Sequence, residues 1–287
     1  PTHDLHRLHE RSFEGNRYVY PVLSRRAGGL SIGVNLNPDK ICNFDCIYCQ
    51  VNRTTQAAVR FVDTGVLIEE LDRMLPWAVS GEIYRSGKFR DTPPSLRRLC
   101  DIAFSGDGEP TTYKNFDEII AACAEVKRRH SLDDVKMVLI TNASMFHRAH
   151  VQRGLATLSA NNGEIWAKLD CGTEEYFRRI ERTRISFRVI LDNITAAARV
   201  RPIVIQALFM RIDGEPTPPA EQEAFCRRLT EIISAGGKIR LVQVYTVARP
   251  PAERNVTALT NQELDTLLAL VRDRTGLPAE GFYGPSS

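Results

Sequence analysis

The sequence predicts an α/β fold, a partial (βα)6 TIM-type barrel open on one side. Along 287 residues, a short apolar segment followed by an amphipathic helical stretch recurs six times. Such alternation implies a parallel sheet with helices packed outside it and right-handed crossovers. Six units rather than eight leave the barrel incomplete. Nearly every apolar segment also ends in polar residues or glycines, and barrels of this kind carry their chemistry on the loops that follow the strands.

Residues 1–24 are polar and mixed, expected as an N-terminal arm, with one core domain over 25–287. His3, His6 and His9 stand three apart, which suits either a metal-binding helix face or a frayed surface arm. Gly28 and Gly29 break the chain, and 30–36 alternates as a first strand carrying Ile32 and Val34. A helix is expected over 61–84, started near Asp63 and Thr64, with Pro76 kinking or dividing it. The strand at 101–105 precedes a helix at 115–129. The strand at 135–140 is apolar on consecutive positions, as a strand buried on both faces should be, and precedes a helix at 147–158. The strand at 164–168 leads to helices at 174–180 and 186–199. The strand at 203–210 leads to a helix at 220–234. The strand at 239–247 leads to a helix at 261–274 whose first turn reads Thr260-Asn-Gln-Glu263, a capping-box pattern.

Composition sets the class. Hydrophobic and charged fractions of 43% and 25% are those of an ordinary globular protein. The net charge of +3 does not announce a nucleic-acid binder. Basic stretches such as Arg25-Arg26 and Arg178-Arg179 read as solvated faces. No apolar run reaches membrane-spanning length and no charged-then-apolar leader opens the chain, so a reducing cytoplasm with no membrane partner is expected.

Chemistry concentrates between residues 35 and 50. Three of the seven cysteines, Cys42, Cys46 and Cys49, stand there with three and then two residues between them. Thiolates this close, in a chain without a disulfide framework, usually ligate a metal or a cluster. A structural zinc site wants a fourth ligand, and the nearest downstream histidines are His130, His147 and His150. Three thiolates suit a [4Fe–4S] cluster with one iron left open. A second turn, Gly106-Asp107-Gly108-Glu109-Pro110, follows the strand at 101–105, and Pro110 bars a simple continuation of that strand.

The cysteine spacing, with Phe44 in the first gap and Tyr48 before the last cysteine, resembles the signature of the radical S-adenosylmethionine (radical SAM) superfamily. The phrases Arg26-Ala-Gly-Gly-Leu-Ser-Ile-Gly33, Phe104-Ser-Gly-Asp-Gly-Glu-Pro-Thr111, Lys168-Leu-Asp170 and Gln243-Val-Tyr-Thr-Val-Ala-Arg-Pro-Pro251 resemble its wyosine-synthase-like subgroup, related to tRNA 4-demethylwyosine synthase. True wyosine synthases carry a second cluster on upstream cysteines. Within these residues no cysteine precedes Cys42, so the expected likeness covers the shared machinery and not the substrate.

The resemblance implies a radical SAM core, a [4Fe–4S] cluster on Cys42, Cys46 and Cys49, and S-adenosylmethionine (SAM) on the open iron. It further implies reductive cleavage of SAM to a 5′-deoxyadenosyl radical, and hydrogen abstraction from an unidentified small-molecule, peptide or RNA-base substrate. A flavodoxin- or ferredoxin-like reducing partner is expected. Gly106, Asp107, Gly108 and Glu109 resemble the motif that holds the methionyl ammonium. Tyr48 either meets the adenine and shields the cluster or simply packs the loop. Asn142 and Asp170 are candidates for the ribose and carboxylate surroundings. Lys168 either neutralises the methionine carboxylate or pairs with a carboxylate inside the barrel. Gln206, polar in an apolar strand, points inward to a ligand or to a structural hydrogen bond.

Arg211, Asp213, Tyr245 and Arg249 lie near the ends of the last two strands, where a substrate is faced. Arg249 suits a carboxylate or phosphate, or an inward salt bridge. Cys171 is either a hydrogen-atom donor or a small buried side chain. Alternative readings are a glycyl-radical-type activating enzyme acting on a partner protein, a tRNA-base modifying enzyme, and, in a different class, a non-catalytic zinc or metal-binding module.

Overall fold

The computed structural model describes residues 13–57, 59–251 and 253–284; His3, His6 and His9 lie outside them. Eight strands form one sheet in the order β1 (Val19–Ser24), β2 (Gly29–Val34), β3 (Leu99–Phe104), β4 (Lys136–Thr141), β5 (Gly163–Lys168), β6 (Ile203–Leu208), β9 (Ile239–Tyr245), β11 (Ala279–Phe282). From β2 to β11 neighbouring strands run parallel, and β1 alone is antiparallel, along β2. Three short strands, β7 (Met210–Ile212), β8 (Glu215–Pro216) and β10 (Val256–Ala258), form a separate antiparallel sheet. The helices are α1 (Thr64–Val79), α2 (Phe116–Arg129), α3 (Ala149–Ala160), α4 (Glu174–Glu181), α5 (Phe187–Val200), α6 (Pro219–Ser234) and α7 (Asn261–Thr275). Among the described residues no helix is long and apolar enough to cross a membrane.

Strand alternation divides the core. Ile102 and Phe104, Met137 and Leu139, and Ile203 and Ile205 belong to the main apolar core with the helices. The opposite face gathers Ala103, Val138, Trp166 and Val204 into a smaller cluster inside the curl of the sheet. Further along these inward rows the side chains become polar: Lys168, Gln206 and Gln243 are register neighbours on β5, β6 and β9. The apolar runs that mark buried strands are therefore interrupted where the sheet lines a cavity.

The sheet is a half-barrel, not a closed one, since β1 and β11 do not pair. It curls far enough for its edges to touch at one corner, where the Arg25 guanidinium, in the β1–β2 turn, donates to the carbonyl of Tyr283 just past β11.

Three differences from the sequence expectation have local causes. The stretch expected as an arm contributes β1, whose Pro21 pairs opposite Ile32; an edge strand tolerates proline because one side of it needs no ladder bonds. Pro76 does not divide α1, which runs on to Val79. It falls in the last turn, so the one bond it cannot donate, to the Asp72 carbonyl, lies near the helix end and only three helical residues follow it. The strand expected over 203–210 ends at Leu208, and the chain then turns into the β7–β8 hairpin. The capping box does open α7, with Thr260 and Glu263 bonding each other's backbone N–H.

One glycine shows how closely the layers approach. A Cβ on Gly172, in the turn between β5 and α4, would lie 2.1 Å from the backbone nitrogen of Phe225 and 2.2 Å from the Ala224 carbonyl carbon, both on α6. Backbone cannot rotate away as a side-chain tip can, so Gly172→Ala is expected to lower unfolding stability by about 1–3 kcal/mol. Urea unfolding followed by circular dichroism measures it, and an unchanged midpoint would show that α6 is free to move.

Candidate active site

The loop after β2 carries the three cysteines, and three other parts of the chain pin it. The amides of Asp45 and Ile47 donate to the carbonyls of Glu181 (3.1 Å) and Ile180 (2.9 Å), so the loop satisfies the last carbonyls of α4. Phe44 meets Phe177 of α4 edge to face at 5.8 Å, and Phe177 stacks on Phe187 of α5 at 5.0 Å. The Asn43 side chain donates to Ser144 (2.7 Å) and accepts from Asn142 (2.9 Å), beyond β4. Beyond β3, Asn35 accepts from the amide of Asp107 (3.1 Å) and donates to its carboxylate (2.7 Å). The glycines of that turn are needed for contact with this loop. A Cβ on Gly106 would fall 2.1 Å from Asn35 Oδ1, and one on Gly108 would fall 2.1 Å from the Ile41 carbonyl.

Under the loop, at the C-terminal ends of the strands, lies a cavity with two lobes. The smaller, about 180 Å³, reaches from Cys42 and Cys46 past Gly108 and Glu109 to Asn142 and Asp170. The larger, about 300 Å³, holds all three cysteines at its edge and extends past Asp107, Lys168 and Gln206 to Tyr245 and Arg249. The structure thus brings every expected site residue to one cavity. Arg211 and Asp213 are the exceptions. Arg211 is bound to Glu263 of α7 at 2.5 Å, and Asp213 accepts from Asn255, because the β7–β8 hairpin carries both away from the strand ends.

Among the described residues no three His, Cys, Asp or Glu side chains converge as ligands of a single metal ion. The three cysteines instead stand along the edge of the larger lobe, on one loop. This donor set suits a cluster better than a lone zinc.

Glu109 is buried and braces the turn. Its Oε1 accepts from the Thr111 amide (3.1 Å) and from the hydroxyls of Thr111 (2.5 Å) and Thr141 (2.6 Å), while Oε2 accepts from the Asn142 amide at 2.7 Å. Burial raises its pKa against these donors, which favour the ionised form. Oε2, with a single protein donor, retains acceptor capacity toward the cavity.

Deeper in, one base serves several acids. Lys168 Nζ lies 3.0 Å from Asp170 Oδ2 and 2.8 Å from the Tyr245 hydroxyl, and 4.8 Å from the centre of the Tyr48 ring. The Tyr48 hydroxyl reaches Asp170 Oδ2 at 2.5 Å and Glu181 Oε1 at 2.9 Å, and the Cys46 thiol donates to Glu181 Oε2 at 2.7 Å. Asp170 Oδ1 accepts from the Leu208 amide at 2.6 Å. Asp170 is therefore engaged by the protein, and Lys168 is the carboxylate-paired interior lysine. Burial opposes the Lys168 ammonium, yet Asp170, Tyr245 and Glu181 outweigh it and hold its pKa above the ordinary value. Burial and then Asp170 push Tyr48 and Glu181 well up, and burial followed by Glu181 does the same to Cys46.

Gln206 donates to Gln243 Oε1 at 2.8 Å, a structural hydrogen bond, and its own Oε1 faces no protein donor. Cys171 is fully buried beside Asp170.

Glu181 escaped the sequence reading. It shares one face of α4 with Phe177 and Ile180, all three buried, and a carboxylate on an apolar helix face was the available signal.

Gly108→Ala should displace the loop one residue before Cys42. Expected is a chain that keeps its circular dichroism spectrum but takes up little iron on anaerobic reconstitution, with stability lowered by about 1–3 kcal/mol. Full iron uptake would show that the loop does not depend on this close approach.

Comparison with known proteins agrees with the geometry. Residues 36–215 match the Radical SAM superfamily. A Brachyspira hyodysenteriae protein named GTPase Obg is 24% identical over 257 residues, covering 87% of this chain and 32% of that protein; the chain thus spans about a third of the relative's length. A radical SAM methyltransferase from Sphaerobacter thermophilus superposes with TM-score 0.63 at 12% identity, over 93% of this chain and 70% of that one. A structure of TYW1 with a lysine–pyruvate adduct bound gives 0.54 at 14% identity, over 91% and 85%. At such identities the two structures speak for the fold. The superfamily match covers more than half of the chain and includes the three cysteines and the Gly106–Glu109 turn, so this chain belongs to the radical SAM superfamily, whose members use a [4Fe–4S] cluster and S-adenosylmethionine.

Proposed function

We propose that Cys42, Cys46 and Cys49 hold the cluster and that the smaller lobe receives the methionine end of SAM, with the substrate in the larger lobe. The observation that carries this reading is a pair of adjoining lobes that share Cys42, Cys46, Gly106, Gly108 and Lys168 in their walls, edged by the three cysteines and by the Gly106–Glu109 turn. When bound, the cluster and SAM supply a one-electron reductive cleavage that yields 5′-deoxyadenosine by way of a radical able to abstract hydrogen from a C–H bond. The electron comes from a flavodoxin- or ferredoxin-like reductant.

The chain's own part is to bind, orient and keep water out. Glu109 offers Oε2 to the methionyl ammonium, a group with three donors and no acceptor. Gly106 and Gly108 bring backbone to the same place without side chains in the way. Tyr48, anchored through its hydroxyl to Asp170 and Glu181, closes the interior side of the cysteine loop. Lys168 is kept as an ammonium, directed by Asp170 and Tyr245, at the border between the two lobes.

Anaerobic reconstitution should give a brown protein with about four irons per chain, which forms 5′-deoxyadenosine on incubation with SAM and dithionite. Cys42→Ala, Cys46→Ala and Cys49→Ala should each abolish both. One tightly held zinc with no iron would overturn the reading in favour of a metal-binding module. Glu109→Gln is expected to weaken SAM binding roughly 10- to 100-fold, as befits losing one charge-assisted hydrogen bond. Equilibrium binding measures it, and an unchanged affinity at native melting temperature would remove Glu109 from the role.

A further inference from the structure

Arg25 and Arg26 read as part of a solvated face in the sequence, yet both line the larger lobe. They sit in the β1–β2 turn, the corner at which the two sheet edges meet. The Arg26 guanidinium lies 5.2 Å from the centre of the Tyr245 ring and 5.8 Å from that of Trp166, both inside the half-barrel. Arg25 donates to the Tyr283 carbonyl. Among the described residues neither arginine has a carboxylate partner.

The carboxylates of the interior are engaged elsewhere. Glu164 binds Lys136 and Arg240, both at 2.6 Å, Asp101 accepts from Ser31, and Asp170 holds Lys168. The larger lobe is lined by five basic side chains (Arg25, Arg26, Arg53, Lys168, Arg249) and one acid, Asp107, which Asn35 engages. Burial and the charge of Arg26 both lower the pKa of Arg25, so the two guanidiniums are close enough to repel. An anion between them would relieve that repulsion.

A second feature points to a ligand in the same place. Gln206 is completely buried and lines this lobe, and after its bond to Gln243 its Oε1 has no partner. Turning both amides over exchanges acceptor for donor and still leaves one Gln206 atom unmatched. Buried polar atoms of this kind are rare unless something fills the space beside them. Tyr245 connects the two features, with Arg26 over its ring and its hydroxyl on Lys168, the register neighbour of Gln206.

We propose that the larger lobe is a subsite for an anionic substrate, whose carboxylate or phosphate is held by Arg25 and Arg26 and whose neighbouring hydroxyl or amine meets Gln206. The planar, always-charged guanidinium suits either oxyanion. The proposal rests on the reading of this cavity as the substrate site, and it places the anionic end at the sheet corner and the remainder of the substrate toward the cysteines.

The test is calorimetric titration of the reconstituted, SAM-bound full chain with inorganic phosphate, glycolate and acetate at constant ionic strength. Saturable binding of phosphate identifies a phosphate subsite, and of glycolate a carboxylate subsite. Arg25→Gln and Arg26→Gln are each expected to weaken binding at least about tenfold, with iron content and melting temperature reporting that the variant is folded. If glycolate is the ligand, it should bind more tightly than acetate, and Gln206→Leu should erase that difference. Binding of none of the three, or binding undiminished in both arginine variants, overturns the subsite. The 5′-deoxyadenosine assay on the same samples keeps the readings apart. Radical chemistry without anion binding sinks only the subsite, and anion binding without radical chemistry sinks only the radical reading.

Discussion

The site depends on one buried ammonium. Cys46, Tyr48, Asp170 and Glu181 crowd beneath the cysteine loop, and removal from water disfavours the charged forms of Cys46, Tyr48 and Glu181. Lys168 gives this group a countercharge, through Asp170, and orients the tyrosines on either side of it. The consequence is one connected network, in which Lys168 and the Tyr48 hydroxyl donate to Asp170 while Tyr48 and the Cys46 thiol donate to Glu181. Each group in turn ties down a different element: Tyr48 and Cys46 the loop, Glu181 the end of α4, and Asp170 the segment after β5 together with the last residue of β6, whose amide it accepts from.

Much of this was legible in the sequence because the signals were local. The six parallel strands from β2 to β9 follow from apolar runs closed by polar residues, and the cysteine spacing needs no tertiary knowledge. What escaped was set by distant pairing. Nothing near Val19–Ser24 says that it pairs with the strand after the turn, and Ala279–Phe282 is too short and too glycine-containing to read as an edge strand. Glu181 becomes part of the site only because α4 ends against the cysteine loop. Arg211 and Asp213 were placed at the cavity by the rule that chemistry follows strand ends, and that rule fails once a hairpin redirects the chain. Arg25 and Arg26 failed in the opposite sense, since a turn at the N-terminal end of β2 is brought beside the interior only by the curl of the sheet.

The comparisons fit this division of labour. Structures at 12% and 14% identity share the half-barrel over more than nine tenths of this chain. The outward rows of each strand need only be apolar and of suitable size to receive helices. The inward rows face a cavity and are free to differ, so a common architecture can host different substrates. In this chain the inward rows carry an amide pair, a lysine and two arginine-capped aromatic rings.

The contact between Arg25 and the Tyr283 carbonyl joins positions separated by nearly the whole chain. Assembly of the cavity is therefore a late event. The ribosome has finished the cysteines and most of the strands long before the last wall segment exists, and until that segment docks the interior stays open along its flank. Loops spanning such sequence distances close slowly compared with local helices. A metal cluster delivered to the nascent protein would meet an unfinished, water-filled trough rather than the walled cavity of the completed fold.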